Sequence, residues 1–117
     1  MHVLVVDDDA GIRWVLARVL GEEGMEVVQA ESLKKAEQAM ASQEFALVFL
    51  DVYLPDGNGM EAVAAGKFSA PVVLLTAETT FGHATQAYRV GAMEYLPKPF
   101  DLNEVRSLAR RIKPRPE

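Results

Sequence analysis

The sequence contains no cysteine, so neither a disulfide framework nor a thiolate metal site is possible. No apolar run approaches the roughly 20 residues that a membrane span needs, and nothing near Met1 resembles a signal peptide. The net charge of −5 gives no general attraction to nucleic acid or to an anionic membrane. We therefore expect a cytoplasmic protein that binds neither nucleic acid nor membrane directly.

The length of the chain limits it to one domain. Its 117 residues can bury a substantial core but are too few for two domains. Residues 113–117 place two prolines among charged residues, a composition typical of a linker. We expect one domain over residues 1–112 and a linker-like tail over residues 113–117.

Short apolar segments alternate along the chain with segments of helical period. The predicted strands are 3–6, 26–30, 47–50, 71–75 and 93–96. The predicted helices begin after Asp9, at Ser32, at Gly59, near Thr80 and after Asp101, where several of these residues are good helix caps. Gly24, Gly66 and Gly91 follow the first, third and fourth helices and should end them.

This alternation predicts an α/β fold, with a doubly wound, five-stranded parallel sheet that carries five helices on its two faces. In such sheets, sites lie just beyond the carboxyl ends of the strands. The polar residues at those ends should therefore converge, and they are Asp7, Asp8, Asp51, Thr76 and Lys98. Asp51 is central, because it ends the most apolar strand and a Pro-Asp-Gly turn follows it closely.

The five converging side chains suit one kind of chemistry. Three carboxylates in one crevice repel one another, and a hard divalent cation such as Mg²⁺ relieves that repulsion. Lys98 adds a positive charge for a carboxylate or a phosphate, and Thr76 adds a hydroxyl donor. The set suits phosphoryl transfer onto a carboxylate, with Mg²⁺ as the cofactor. It does not suit acyl transfer, because no histidine or serine lies beside a base.

Five motifs in a fixed order carry a family resemblance. They are Val-Val-Asp-Asp-Asp (5–9), Ile-Arg-Trp-Val-Leu (12–16), Leu-Asp-Val-Tyr-Leu-Pro-Asp-Gly (50–57), Leu-Thr-Ala (75–77) and Gly-Ala-Met-Glu-Tyr-Leu-Pro-Lys-Pro-Phe-Asp (91–101). Each motif alone is weak, but five at suitable spacing are a specific signal. Over essentially its whole length, the sequence resembles the receiver domains of bacterial response regulators, most closely those of the NtrC type.

The resemblance implies a flavodoxin-like strand order, 2-1-3-4-5, and a role for each acidic residue. Asp51 would be the phosphoacceptor, which receives its phosphoryl group from a phosphohistidine of a sensor histidine kinase. Asp7 and Asp8 would help to hold Mg²⁺, with Asp51 and the backbone carbonyl of Tyr53 as further ligands.

The resemblance also implies how the phosphoryl group is recognised. Thr76 and Lys98 would contact its oxygens, and the Lys98–Pro99 peptide bond would be cis. Tyr95 would change orientation with Thr76. Through these residues, phosphorylation of Asp51 would change the surface that the domain presents to its output.

The predicted fourth helix, residues 80–90, is the element that we expect to move. It contains Gly82, and a glycine inside a helix costs about 1 kcal/mol relative to alanine. Our hypothesis is that phosphorylation shifts this marginal helix and changes the exposure of Phe81 and Tyr88.

The NtrC-type resemblance implies control of a transcription activator whose ATPase and DNA-binding domains are absent from this sequence. It implies chemistry limited to self-phosphorylation and self-dephosphorylation, so we do not expect a turnover enzyme. We expect that a homodimer would use the fourth and fifth helices.

Two residues of the segment after Asp51 have individual interpretations. A bulky Tyr53 should restrict the approach of water to the acyl phosphate, and Asp56 should be a solvated loop residue.

Two other functions compete with this interpretation. The first is a haloacid-dehalogenase-like phosphatase, because Asp7 and Asp9 also form Asp-x-Asp after a first strand. That family resemblance expects a late acidic pair and a cap-sized insertion, and no such pair follows Lys98. The second is a receiver-like interaction module that is not phosphorylated, which the complete set of five polar site residues disfavours.

Overall fold

Strands and helices alternate along the chain as the hydrophobic pattern predicts. The computed structural model describes residues 1–77 and 86–112. The strands are β1 (His2–Val6), β2 (Glu26–Ala30), β3 (Leu47–Asp51), β4 (Tyr53–Leu54), β5 (Gly57–Asn58), β6 (Val72–Thr76) and β7 (Glu94–Pro97). The helices are α1 (Ala10–Glu22), α2 (Leu33–Ser42), α3 (Gly59–Ala64), α4 (described over residues 86–89) and α5 (Leu102–Ile112).

Five of the strands form one parallel sheet in the order β2-β1-β3-β6-β7. The short strands β4 and β5 pair antiparallel with each other and form a separate ribbon. Counted along the chain without that ribbon, the main strands lie in the order 2-1-3-4-5. The predicted doubly wound α/β fold and its strand order are therefore confirmed.

Helices cover both faces of the sheet, so the three inner strands are buried throughout most of their length. Side chains of a strand alternate between the faces. Val3 and Val5 of β1 join one core cluster with residues of α1 and α5. Leu4 and Val6 join the other, with residues of α2, α3 and α4. The two cores hold the carboxyl ends of the strands in a fixed arrangement.

The helix ends follow from local sequence. The Asp9 carboxylate accepts the backbone N–H groups of Gly11 and Ile12 and caps α1, as predicted. Ser32 caps α2 by accepting the Lys35 N–H. Gly24 has φ 82°, a conformation that favours glycine, and it follows the end of α1.

The predicted strands match the observed ones to within one residue at each end: β1 starts one residue earlier, β3 ends one residue later, and β6 and β7 are each shifted by one residue toward the C-terminus. β6 runs to Thr76 and β7 to Pro97, because these two residues are still in register across the sheet. The start of the predicted fourth helix, with Phe81 and Gly82, lies outside the described residues, as does the predicted tail at 113–117. In the part of the chain that the structure describes, no helix is long and apolar enough to cross a membrane.

Candidate functional site

The register of the parallel strands brings the predicted polar residues to one edge of the sheet. Val6, the last residue of β1, lies beside Leu50, and Asp51 lies beside Leu75. The residues that end or follow these strands therefore share one crevice, as they must at the carboxyl edge of a parallel sheet.

Three carboxylates meet in this crevice. Ligand atoms of Asp7, Asp8 and Asp51 all lie within 4.8 Å of one another. Asp7 is fully buried and Asp51 is 6% exposed, whereas Asp8 is exposed at the mouth. Oxygen ligands from a few carboxylates, with one side open to water, match the coordination that Mg²⁺ prefers. The donor set therefore fits the predicted cation.

Lys98 lies between the two buried carboxylates. Its Nζ is 2.8 Å from Oδ2 of Asp7 and 3.2 Å from Oδ2 of Asp51. Burial alone lowers the pKa of Lys98, but the hydrogen bonds and charges of the two aspartates outweigh it and raise that pKa above 10.5. The ammonium group thus stays charged and binds both carboxylates at once.

The surroundings of Asp51 disfavour the charged form of its carboxyl group. Burial, followed by the negative charge of Asp7, raises the pKa of Asp51 above its ordinary value of 3.8. Lys98 and the Tyr53 N–H, which donates to Oδ1 of Asp51 at 3.2 Å, act in the opposite direction. Additional positive charge at this carboxylate would therefore be favourable.

The backbone around Asp7 is fixed by three contacts. Its N–H donates to the Ala30 carbonyl at 3.1 Å, and its Oδ1 accepts the Asp9 N–H at 2.9 Å. Nη1 of Arg13 donates to the Asp7 carbonyl at 2.7 Å. Sequence reasoning missed this role of Arg13, because only the packing of α1 against β1 brings the guanidinium back to the strand end.

Thr76 and Lys98 are joined through the backbone. Thr76 is fully buried at the end of β6, and its carbonyl accepts the Lys98 N–H at 2.6 Å. The Lys98–Pro99 peptide bond is cis. The two residues predicted to contact phosphoryl oxygens thus lie together at the carboxyl ends of the adjacent strands β6 and β7.

The predicted switch aromatics occupy different environments. Tyr95 is half-buried against the second core cluster, and Tyr88 is exposed. The Tyr88 hydroxyl donates to Oε1 of Glu94 at 2.6 Å, a hydrogen bond that raises the pKa of Tyr88 above 10.0. Phe81, the third of them, lies outside the described residues.

The turn after Asp51 differs from its sequence interpretation. Asp56 is exposed, but it is not a merely solvated loop residue. Its Oδ1 and Oδ2 accept the backbone N–H groups of Leu33 and Lys34, each at 2.9 Å. These bonds lower the pKa of Asp56 below 3.8. The local prediction failed because the partners lie 22 and 23 residues away in the chain.

An apolar groove of about 700 Å³ adjoins the polar crevice. Its lining residues are Asp9, Gly11, Ile12, Val15, Lys98, Pro99, Phe100 and Leu102. Because Lys98 borders both the groove and the carboxylates, a molecule seated in the groove would lie beside the acidic cluster.

Comparison with known proteins places this geometry in context. A family model described as "Response regulator receiver domain" matches residues 3–110. The transcriptional regulator NtrC of Proteus hauseri is 37% identical over 113 residues, which are 94% of this chain and 24% of that protein. The response regulator protein PilR of Pseudomonas aeruginosa is 35% identical over 108 residues, 90% of this chain and 24% of that protein.

A solved structure shows the same fold. The beryllofluoride-activated NtrC4 receiver domain dimer superposes with a TM-score of 0.87 at 32% identity, covering 95% of this chain and 94% of that one. The chain spans about a quarter of the length of the curated relatives NtrC and PilR.

Proposed function

Because the chain belongs to the family of response regulator receiver domains of two-component signalling systems, we propose that Asp51 is its phosphoacceptor. The observation that supports this proposal is the double contact of Lys98 with Asp7 and Asp51 beside the exposed Asp8. Two other carboxylates and one ammonium group thus lie around the Asp51 carboxylate, which is 6% exposed.

The chemistry requires a nucleophile and charge neutralisation. An Asp51 carboxylate oxygen would attack the phosphorus of a phosphohistidine, forming an O–P bond while the N–P bond breaks and its electron pair stays on the imidazole. Lys98 and the Thr76 hydroxyl would pair with the transferred oxygens. Lys98 is already within reach of Asp51, so this requires little movement.

The acidic cluster would hold the cofactor. The carboxylates of Asp7, Asp8 and Asp51 and the carbonyl of Tyr53 would bind Mg²⁺, which supplies positive charge to the phosphoryl oxygens. Asp8 is exposed and can bind the ion while it keeps its waters. The Tyr53 side chain is half-exposed two residues after Asp51, and it would limit the approach of water to the acyl phosphate.

Receiver domains are regulatory, and the output of this one would resemble that of its longer relatives. The donor would be a sensor histidine kinase in the cytoplasm. The regulated part would be a transcription activator of the NtrC type, with ATPase and DNA-binding domains outside this sequence. A homodimer through α4 and α5 remains a prediction, and the NtrC4 receiver was solved as a dimer.

The test is phosphorylation by acetyl phosphate in Mg²⁺, followed by intact mass measurement. The chain should gain one phosphoryl group, and Asp51→Asn should gain none. Asp101→Asn is the matched control, because it makes the same substitution at an exposed aspartate that lies outside the acidic cluster. Uptake by Asp51→Asn, or none by the unaltered chain, would contradict the proposal.

A further inference from the structure

The N-terminus of α2 is capped by two different parts of the chain. The first N–H groups of any helix lack partners within the helix. Oγ of Ser32, the adjacent residue, accepts the Lys35 N–H at 3.2 Å. The carboxylate of Asp56, which lies in the turn after β3, accepts the Leu33 and Lys34 N–H groups. One cap is therefore local, and the other ties two separate elements together.

The turn that carries Asp56 is short and closely packed. Its two sides are β4 and β5, in which Tyr53 pairs with Asn58. A Cβ added to Gly57 would lie 2.8 Å from Cδ1 of Leu33, so the turn also rests on the first side chain of α2. The bonds of Asp56 and the close approach of Gly57 to Leu33 therefore connect the ribbon to the same helix end.

The ribbon includes the peptide groups of Tyr53. Its N–H donates to Oδ1 of Asp51, and its carbonyl is the proposed fourth protein ligand of Mg²⁺. A shift of this residue would change both the carboxylate and the cation site. The position of the ribbon therefore matters for the site, although Asp56 itself is exposed and is not among the clustered carboxylates.

We infer that Asp56 is a positioning residue, which holds the Tyr53 backbone against Asp51 by tying the turn to the N-terminus of α2. A carboxylate suits this task, because it has two oxygens for two N–H groups and its charge is favourable at a helix N-terminus. The inference deepens the proposed function and rests on it for the part that concerns Mg²⁺. The part that concerns the Tyr53 N–H does not depend on the cation.

The test compares two variants that each remove one cap of the same helix. Asp56→Ala removes the cap that is tied to the turn, whereas Ser32→Ala removes the local one. In a calorimetric titration with Mg²⁺, Asp56→Ala should bind about tenfold more weakly, the scale of loss seen when a residue that orients metal ligands is removed. Ser32→Ala should bind like the unaltered chain. Equal affinities for the two variants would overturn the inference.

A second measurement uses the metal-free protein. In EDTA, the Tyr53 amide should exchange its hydrogen faster in Asp56→Ala than in Ser32→Ala, with urea unfolding used to compare the stability of both variants. Unchanged Tyr53 exchange in Asp56→Ala would overturn the inference. If Asp56→Ala fails to fold, Asp56→Asn replaces it, because an amide keeps one acceptor and should give intermediate exchange and affinity.

The two measurements separate this inference from the proposed function. If the unaltered chain binds no Mg²⁺ and gains no phosphoryl group, the proposed function is wrong. The exchange of the Tyr53 amide then still decides whether Asp56 positions that residue.

Discussion

Replacing Gly59 by alanine should destabilise the fold and displace Asp51. Gly59 is the first residue of α3, and its N–H donates to the Val52 carbonyl at 2.7 Å. A Cβ at this position would lie 2.3 Å from the Asp51 carbonyl oxygen and 3.0 Å from Cγ of Leu50. The carbonyl belongs to the backbone of a central strand, so it cannot rotate away as the end of a long side chain can.

The size of the effect follows from these distances. Ordinary Cβ contacts begin at 3.4 Å, so the helix end and the Asp51 carbonyl must separate by about 1 Å. Overpacking of a rigid core costs about 1–3 kcal/mol, and a buried backbone obstacle belongs near the upper end of that range. Alanine regains at most about 1 kcal/mol through its higher helix propensity. We expect the free energy of unfolding to fall by about 2 kcal/mol.

Urea unfolding measures this change, and Gly21→Ala is the matched control. Gly21 lies within α1, and a Cβ there would meet no atom within 4 Å. The control should therefore gain about 0.5–1 kcal/mol of unfolding free energy from helix propensity. Asp51 in Gly59→Ala should also be phosphorylated more slowly than in Gly21→Ala. The same sign of stability change in both variants would refute the steric reasoning.

Two further predictions concern charged and titrating contacts. Lys98→Met removes the positive charge between two buried carboxylates and should lower the free energy of unfolding by about 2 kcal/mol, less than for a fully enclosed pair because the Lys98 side chain is 17% exposed. Urea unfolding should show a smaller loss in Mg²⁺ than in EDTA, because the metal ion would also neutralise these carboxylates. An equal loss in both would contradict the idea that Lys98 and Mg²⁺ neutralise the same carboxylates. Tyr88 should ionise above pH 10.0, so the stability that its bond to Glu94 contributes is fully present below pH 10.0 and is lost as pH rises through the higher folded-state pKa. Tyrosinate absorbance, compared with Tyr88→Phe, should show that midpoint falling in Glu94→Ala, and an unchanged midpoint would contradict the assignment.

The site residues were predictable because their positions depend on topology rather than on detailed packing. A run of apolar residues that ends at Asp51 identifies a buried strand and its carboxyl end, and parallel strands bring such ends together. The same reasoning predicts that Thr76 and Lys98 lie at the carboxyl ends of the next two strands of the sheet, and they do: β6 ends at Thr76, and Lys98 directly follows β7. Short-range capping was predictable for a similar reason, since Asp9 and Ser32 bond to residues two or three positions away.

Contacts between segments that are distant in the chain were not predictable from the pattern of apolar and polar residues. Asp56 has the sequence context of an ordinary turn aspartate, and its partners become neighbours only when α2 packs over β1 and β2. Gly59 lies in a sequence of turn residues, and only the fold of the chain brings it so close to the Asp51 carbonyl. Arg13 has the periodicity of a half-exposed helical residue, and nothing in that pattern indicates its bond to the Asp7 carbonyl.

The central claim is tested most directly by locating the phosphoryl group in the chain. After treatment with acetyl phosphate and Mg²⁺, borohydride reduces an acyl phosphate of aspartate to homoserine, which peptide mass spectrometry can place. We predict conversion at Asp51. Conversion at Asp7 or Asp8, with Asp51 unchanged, would contradict the account.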